Sequence, residues 1–178
     1  MKRLIMLAGA LGVMLLTATG AFAQVPADPN NPNEAVPDKL VHMPYGPPID
    51  LATAKKVAAA AAAEATKRGW PMCISVVQPT GDLVYFERMD DCQYASITIS
   101  QNKARAAARF RRPTVVFERL LAKGDYFAYL PTLGGGFIGS RGGNLIMVGG
   151  KVIGAIGASG GTGSQDDTIS LAGAAALK

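Results

Sequence analysis

Asn144-Leu-Ile-Met-Val148, Gly149-Gly150 and Lys151-Val-Ile-Gly-Ala-Ile-Gly-Ala158 make up the stretch that decides the fold. Two apolar, β-branched runs flank a diglycine, a pattern that predicts a hairpin closed by a two-residue turn. Ser159-Gly-Gly-Thr-Gly163 follows, and Ser164-Gln-Asp-Asp167 then opens a segment predicted to be helical. Ser164 is placed to N-cap that helix, with Asp167 at the reciprocal capping position. The glycines invite a nucleotide-binding reading, but the chemistry rejects it. No Gly-Lys-Ser/Thr follows the loop, and no Gly-x-Gly-x-x-Gly opens a βαβ unit. Asp166 and Asp167 fall in the first helical turn, where they complement the helix dipole and would repel a phosphate.

Upstream, Asp50 is positioned to cap a helix running through Ala65–Arg68 and closed by Gly69. Leu51, Ala54, Val57, Ala58, Ala61 and Ala65 supply its apolar stripe, and such small side chains imply close packing against a sheet or another subunit. Met72–Gln78 and Leu83–Met89 read as a second hairpin around Pro79-Thr-Gly-Asp82. Ser96 to Phe110 is helical and Pro113 ends it, because the residue before a proline is pushed out of the α region. A shorter helix restarts at Pro113-Thr114 and runs through Lys123. Asp125 to Gly143 is loop-rich, and Gly134-Gly-Gly136 there marks unusual backbone angles or close approach. The order is α, β-β, α-α, loop, β-β, α. Tight turns between adjacent strands make the sheet antiparallel, so the fold class is α+β.

Met1 to Ala23 reads as a cleaved secretory signal. Lys2 and Arg3 are the charged region, Leu4 to Leu16 the apolar one, and Ala21-Phe-Ala23 the cleavage site. The apolar run is short for a membrane span, and no later stretch replaces it, so no stable membrane insertion is expected. The protein is expected to be secreted or periplasmic after cleavage near Ala23. A Pro/Asn-rich arm occupies residues 24–48 and a single domain residues 49–178. Without Lys2 and Arg3, 16 basic residues against 13 acidic ones leave a net charge of +3. So mild a charge argues against nucleic acid as a partner and leaves a weak pull toward anionic ligands. In the first hairpin Cys73 would lie near Arg88 and Cys92 just past the second strand, not directly opposite, so the two are either a disulfide or two buried thiols. A bridge requires the chain after Asp91 to fold back.

His42, the sole histidine, is a candidate axial haem ligand or transition-metal ligand, set against a solvent-exposed residue in an arm. Arg105, Arg109 and Arg112 share one helical face that could clamp carboxylates. The alternative is a solvated face, or ion pairs with Glu87, Asp90 and Asp91. Lys103 lies nearer the inner edge of the same helix. No catalytic constellation emerges. A Ser–His–Asp triad would need His42 from the arm, and Asp166 and Asp167, adjacent on a helix, point apart.

Several segments in order carry a resemblance. They are Pro44-Tyr-Gly-Pro-Pro-Ile49, Gly81-Asp-Leu-Val-Tyr-Phe-Glu-Arg-Met-Asp90, Ser100-Gln-Asn-Lys-Ala-Arg105, Phe110-Arg-Arg-Pro-Thr114, Gly134-Gly-Gly136 and Gly150-Lys-Val-Ile-Gly-Ala-Ile-Gly-Ala-Ser-Gly160. Together with Gln165-Asp166 and Ala172-Gly173, they make the chain similar to the HbpS-like haem-binding family, over roughly Pro44 to Leu177. That family also takes in GlcG-like proteins and PduO C-terminal domains. The resemblance implies a profilin-like antiparallel sheet flanked by helices on both faces, and assembly into dimers, tetramers or octamers. It also implies haem as the ligand, with sequestration or degradation as the proposed role. Carried over, a pocket would be lined by Lys103, Arg105, Arg112, Thr114, Gly135 and Gly136, with Thr114 a candidate contact to an iron or a propionate. Because residues 49–178 hold no histidine, bis-histidine ligation within one subunit is excluded. An alternative role is binding or converting a small hydroxy- or keto-acid, with Lys103 and Arg105 holding its carboxylate. A purely structural assembly subunit, with the alanine-rich first helix packed between chains, is a further alternative.

Overall fold

The computed structural model describes residues 43–122 and 138–177. The first helix, α1 (Leu51–Arg68), starts where the Asp50 carboxylate accepts the Thr53 N–H at 2.7 Å and stops at Gly69 in the left-handed conformation. Strands β1 (Cys73–Val77) and β2 (Leu83–Arg88) form the first hairpin. Helix α2 (Ala95–Phe110) ends at Arg111, which takes a left-handed φ of 53° just ahead of Pro113. Then come α3 (Val115–Ala122), β3 (Gly143–Val148), β4 (Lys151–Ser159) and α4 (Gly163–Ala174), followed by a short 3₁₀ turn at Ala175–Leu177. Gly149 and Gly150 both have positive φ, so the hairpin that decides the fold turns where the diglycine permits it.

All strand pairings are antiparallel, in the order β2-β1-β4-β3. One face carries α1 and α4 over Ile74, Val76, Ile146, Ile156 and Ala158. The other carries α2 over Val77, Leu145, Val152 and Ala155. The chain is therefore α+β with helices on both faces, as expected. Gly157 lets α2 approach closely, since a Cβ there would strike the Ser100 carbonyl and the Ala104 N–H. Buried serines line this contact. Ser75 meets Ser100 at 2.8 Å, and Ser159 donates to Ser96 at 2.9 Å, so the polar atoms brought in by close packing are paired.

Three expectations are corrected or resolved. Helix α4 is capped by Thr162, not Ser164: Thr162 Oγ1 accepts the Gln165 N–H while Gln165 Oε1 accepts the Thr162 N–H. This pair satisfies both orphan donors two residues earlier and leaves Asp167 to accept from Asn144 Nδ2 at 2.9 Å. The alanine stripe of α1 is used within the chain. Ala54, Val57, Ala58, Ala61 and Ala65 are fully buried against α4 and the sheet, so α1 cannot offer that stripe to another subunit. Cys73 and Cys92 form a disulfide across a Cα–Cα distance of 6.0 Å. Asp91, with φ of 64°, turns the chain back, and the Cys92 N–H then donates to the Met89 carbonyl at 3.2 Å.

Pro44 to Ile49 run beside the start of β4. The Gly46 N–H donates to the Val152 carbonyl and the Val152 N–H to the Pro44 carbonyl, each at 2.8 Å. Residues 1–23, most of the arm, and the Gly134–Gly136 loop lie outside the described residues.

Candidate functional site

Lys103 sits on the face of α2 that meets β3 and β4, one residue before the small Ala104 that keeps the helix close to the sheet. The residue is 1 % exposed, a placement that a lysine keeps only with a partner. Asp166 is that partner. Its Oδ2 accepts from Lys103 Nζ at 2.6 Å, its Oδ1 accepts the Gly161 N–H at 3.0 Å, and Nζ also reaches the Ala158 carbonyl at 3.3 Å. The glycine-rich loop therefore delivers a carboxylate from the first turn of α4 onto a buried lysine. Asp167 points elsewhere, as adjacent helical residues do.

Gly142 and Gly143 close over this pair. Gly142 has φ of 110°, and a Cβ there would come within 3.0 Å of Lys103 Nζ and 2.8 Å of the Asp166 Cβ. A Cβ on Gly143 would strike the Lys103 carbonyl and lie 2.7 Å from Thr114 Cγ2. Thr114, itself fully buried, accepts the Gly143 N–H at 2.9 Å through its hydroxyl and donates its own N–H to the Gly143 carbonyl at 2.9 Å. Lys103 and Thr114 are thus brought together around one backbone segment.

Arg141, just before that segment, binds Glu118 of α3 through its side chain at 2.6 Å and its backbone N–H at 2.8 Å. Burial pushes the Glu118 carboxyl up. The Arg141 hydrogen bonds outweigh it, aided by the charges of Arg141 and Lys103, and hold the carboxyl below its usual range.

The arginines lie apart from Lys103. Arg105 and Arg109 drape over the β1–β2 turn, where their Nε atoms donate to the Gly81 carbonyl at 3.4 Å and the Thr80 carbonyl at 2.7 Å. Neither forms a salt bridge with Glu87, Asp90 or Asp91 among the described residues. Arg111 stacks on the Tyr45 ring at 4.9 Å and donates to the Met43 carbonyl at 3.2 Å, while Tyr45 donates its hydroxyl to the Ala108 and Arg109 carbonyls. Arg112 lies over Phe117 at 5.9 Å and donates to the Phe110 carbonyl. His42, Gly135 and Gly136 lie outside the described residues.

Asp166, Glu118 and Arg141 are the members that sequence reasoning missed. Asp166 reads as a dipole-complementing acid because a helix N-terminus accounts for it locally. The one available signal was a lysine on an inner helical face, which requires a buried acid somewhere in the chain.

The sequence model of one family, described as haem degrading protein HbpS-like, matches residues 49–175. Protein GlcG of Escherichia coli strain K12 is 40% identical over 107 residues, which cover 60% of this chain and 77% of that protein. Among solved structures, the PduOC:haem complex superposes with a TM-score of 0.68 at 25% identity, covering 74% of this chain and 96% of that one. A double mutant of Streptomyces reticuli HbpS gives 0.68 at 26% identity, covering 81% and 97%.

Proposed function

Because the chain belongs to the HbpS-like family, we propose that it binds haem, at the corner where α2 turns into α3, and that it does so as an exported sequestering protein. The observation that carries the reading is the family match together with the likeness to a protein solved with haem bound. The described residues suit the carboxylates of such a ligand. Arg105, Arg109 and Arg111 spend their donors on neutral carbonyl, amide and ring groups. None of the three is in a salt bridge among the described residues, and although the charges of Arg105 and Arg109 help to hold the nearby Asp82 carboxyl low, Arg111 at the corner is placed to offer its charge to an anion. Arg111 and Arg112, on the corner itself, are the proposed propionate partners.

The described residues do not suit the iron. The Thr114 hydroxyl is fully buried and engaged with Gly143, Lys103 is committed to Asp166, and no histidine stands among the described residues. Lys103 and Thr114 accordingly shape the wall of the site by fixing Gly142 and Gly143. His42, next in sequence to the Met43 whose carbonyl Arg111 holds, is the proposed donor to the metal. Gly135 and Gly136 complete the proposed pocket. The organic-acid alternative loses its anchor, since the lysine meant to hold a substrate carboxylate already holds one from the chain itself.

Haem titration followed in the Soret region tests this reading. Saturable binding should weaken in Arg111→Gln and Arg112→Gln, and the band should shift or vanish in His42→Ala. Absence of any saturable band in the unmodified protein would end the proposal. Export rests on the leader at residues 1–23 and on the disulfide, which persists in oxidising compartments. Sequencing the N-terminus of secreted or periplasmic material should read from Gln24.

A further inference from the structure

Between Met43 and Ile49 the chain is fastened to two elements at once. β1 pairs with β4 only from Ser159 to Ala155, which leaves the start of β4 without β1 beside it. There Tyr45 forms a parallel bridge with Val152. The Gly46, Ile49 and Val152 N–H groups donate across it to the Val152, Ile153 and Pro44 carbonyls, each at 2.8 Å. On its other side the segment grips the end of α2. The Tyr45 hydroxyl donates to the Ala108 and Arg109 carbonyls, and Arg111 stacks on the Tyr45 ring while donating to the Met43 carbonyl.

This grip is held from the surface. Pro44, Tyr45, Pro47 and Pro48 are exposed, and the three prolines have no N–H to donate. A segment tied by a few exposed backbone bonds opens locally while the core stays folded. The α2 side is unusual too. Arg111 ends the helix in the left-handed conformation, where glycine is the low-cost cap, as Gly69 is for α1. The arginine that stands there instead sends its side chain to the segment.

From this we propose that Met43–Ile49 is a strap that opens and closes as one unit, and that its closure fixes the Arg111 guanidinium and so regulates the corner site. The identity of the ligand rests on the haem-binding reading above; the strap itself does not. Closed, Met43 and Tyr45 hold Arg111 while leaving it N–H groups for a carboxylate. Open, Arg111 loses both contacts, and an anion must order it on binding. Linkage makes the effect reciprocal: the factor by which closure raises affinity is the factor by which bound ligand favours closure.

Hydrogen exchange at the Gly46, Ile49 and Val152 amides reads the opening, since all three bonds cross between strap and β4. In haem-free protein they should exchange together and faster than the Ile156 amide of the central strand. Arg111→Gln, which touches none of the three bonds, should speed all three by one common factor. Strap amides that exchange with Ile156, or a Val152 rate unchanged in Arg111→Gln, would overturn the proposal. Saturating haem should slow the three amides in the unmodified protein. Gly46→Val, whose side chain crowds Lys151 and Ile153 and removes nothing from the corner, should weaken haem binding in the Soret titration. A Soret band with strap rates unmoved by haem, or with affinity unchanged in folded Gly46→Val, would equally overturn it. Absence of any band would end the haem reading alone, and the haem-free rates would then decide the strap.

Discussion

Lys103→Met is the most informative perturbation of the framework. It removes the ammonium from a pair whose side chains are 2% and 4% exposed and leaves Asp166 charged, with the Gly161 N–H as its remaining partner among the described residues. Breaking a buried pair from one side costs about 3–5 kcal/mol, because the surviving charge stays desolvated. At roughly 3 °C per kcal/mol for a domain of this size, the melting temperature should fall by about 10–15 °C. Asp166→Asn should cost a similar amount by stranding the lysine. The double variant Lys103→Met/Asp166→Asn carries neither charge, so it should be no less stable than either single one, with a coupling energy of about 2 kcal/mol or more. Thermal unfolding followed by circular dichroism on all four proteins measures this. Single variants within about 1 kcal/mol of wild type, or strictly additive losses, would refute the view that the pair is a coupled, water-free contact.

Replacing both cysteines by serine opens a bridge between residues 19 apart in sequence and should lower the unfolding free energy by about 3 kcal/mol in urea titrations. Wild type unfolded under reducing conditions should match that variant. Ala58→Glu puts a carboxylate at a fully buried position of α1, so the result should be loss of folded protein in expression and thermal assays, not clean dissociation of an assembly. Glu118, held below its usual range, contributes stability that is present above the unfolded-state carboxylate pKa and is lost as pH falls through the lower folded value. Glu118→Gln should therefore flatten the acidic limb of the stability–pH curve by a small amount, the side chain being 30% exposed, and leave the curve above neutrality unchanged in slope.

The fold was legible because its signals are local. A diglycine between two β-branched runs, Asp50 ahead of an alanine helix and Pro113 after a polar–apolar helix each specify an element within a few residues. The α4 boundary failed for an equally local reason. Thr162 and Ser164 are both competent caps, and only the reciprocal bond from Gln165 selects Thr162. The destination of the α1 stripe was not legible. Small side chains announce close packing and carry no label for the partner, and Gly173 of α4 is the matching small residue that takes up Ala61 and Val57.

The candidate site divides along the same line between local and long-range signals. On α2, Lys103 and Arg105 are two residues apart in sequence yet serve opposite sides of the helix, and only the pairing with Asp166, 63 residues away, separates their roles. Once Lys103 is neutralised from within, the positive charge that α2 still presents gathers toward its C-terminal end, with Arg109 and Arg111. There the carbonyls of Ala107 and Ala108 are already capped by backbone N–H groups and, at Ala108, by the Tyr45 hydroxyl. A helix C-terminus attracts cations through its dipole, so these arginines have a structural reason to be there. Arg111 is additionally fixed by Tyr45 and Met43 from the arm, which a helix end alone does not require. An anion bound at this corner would therefore meet a guanidinium group already ordered by the fold, and ordering it in advance lowers the cost of binding. That order depends on the arm, so Tyr45→Ala should weaken haem binding without touching the helix that carries the charges. Equal affinity in the Soret titration would show that the arginines need no support from the arm.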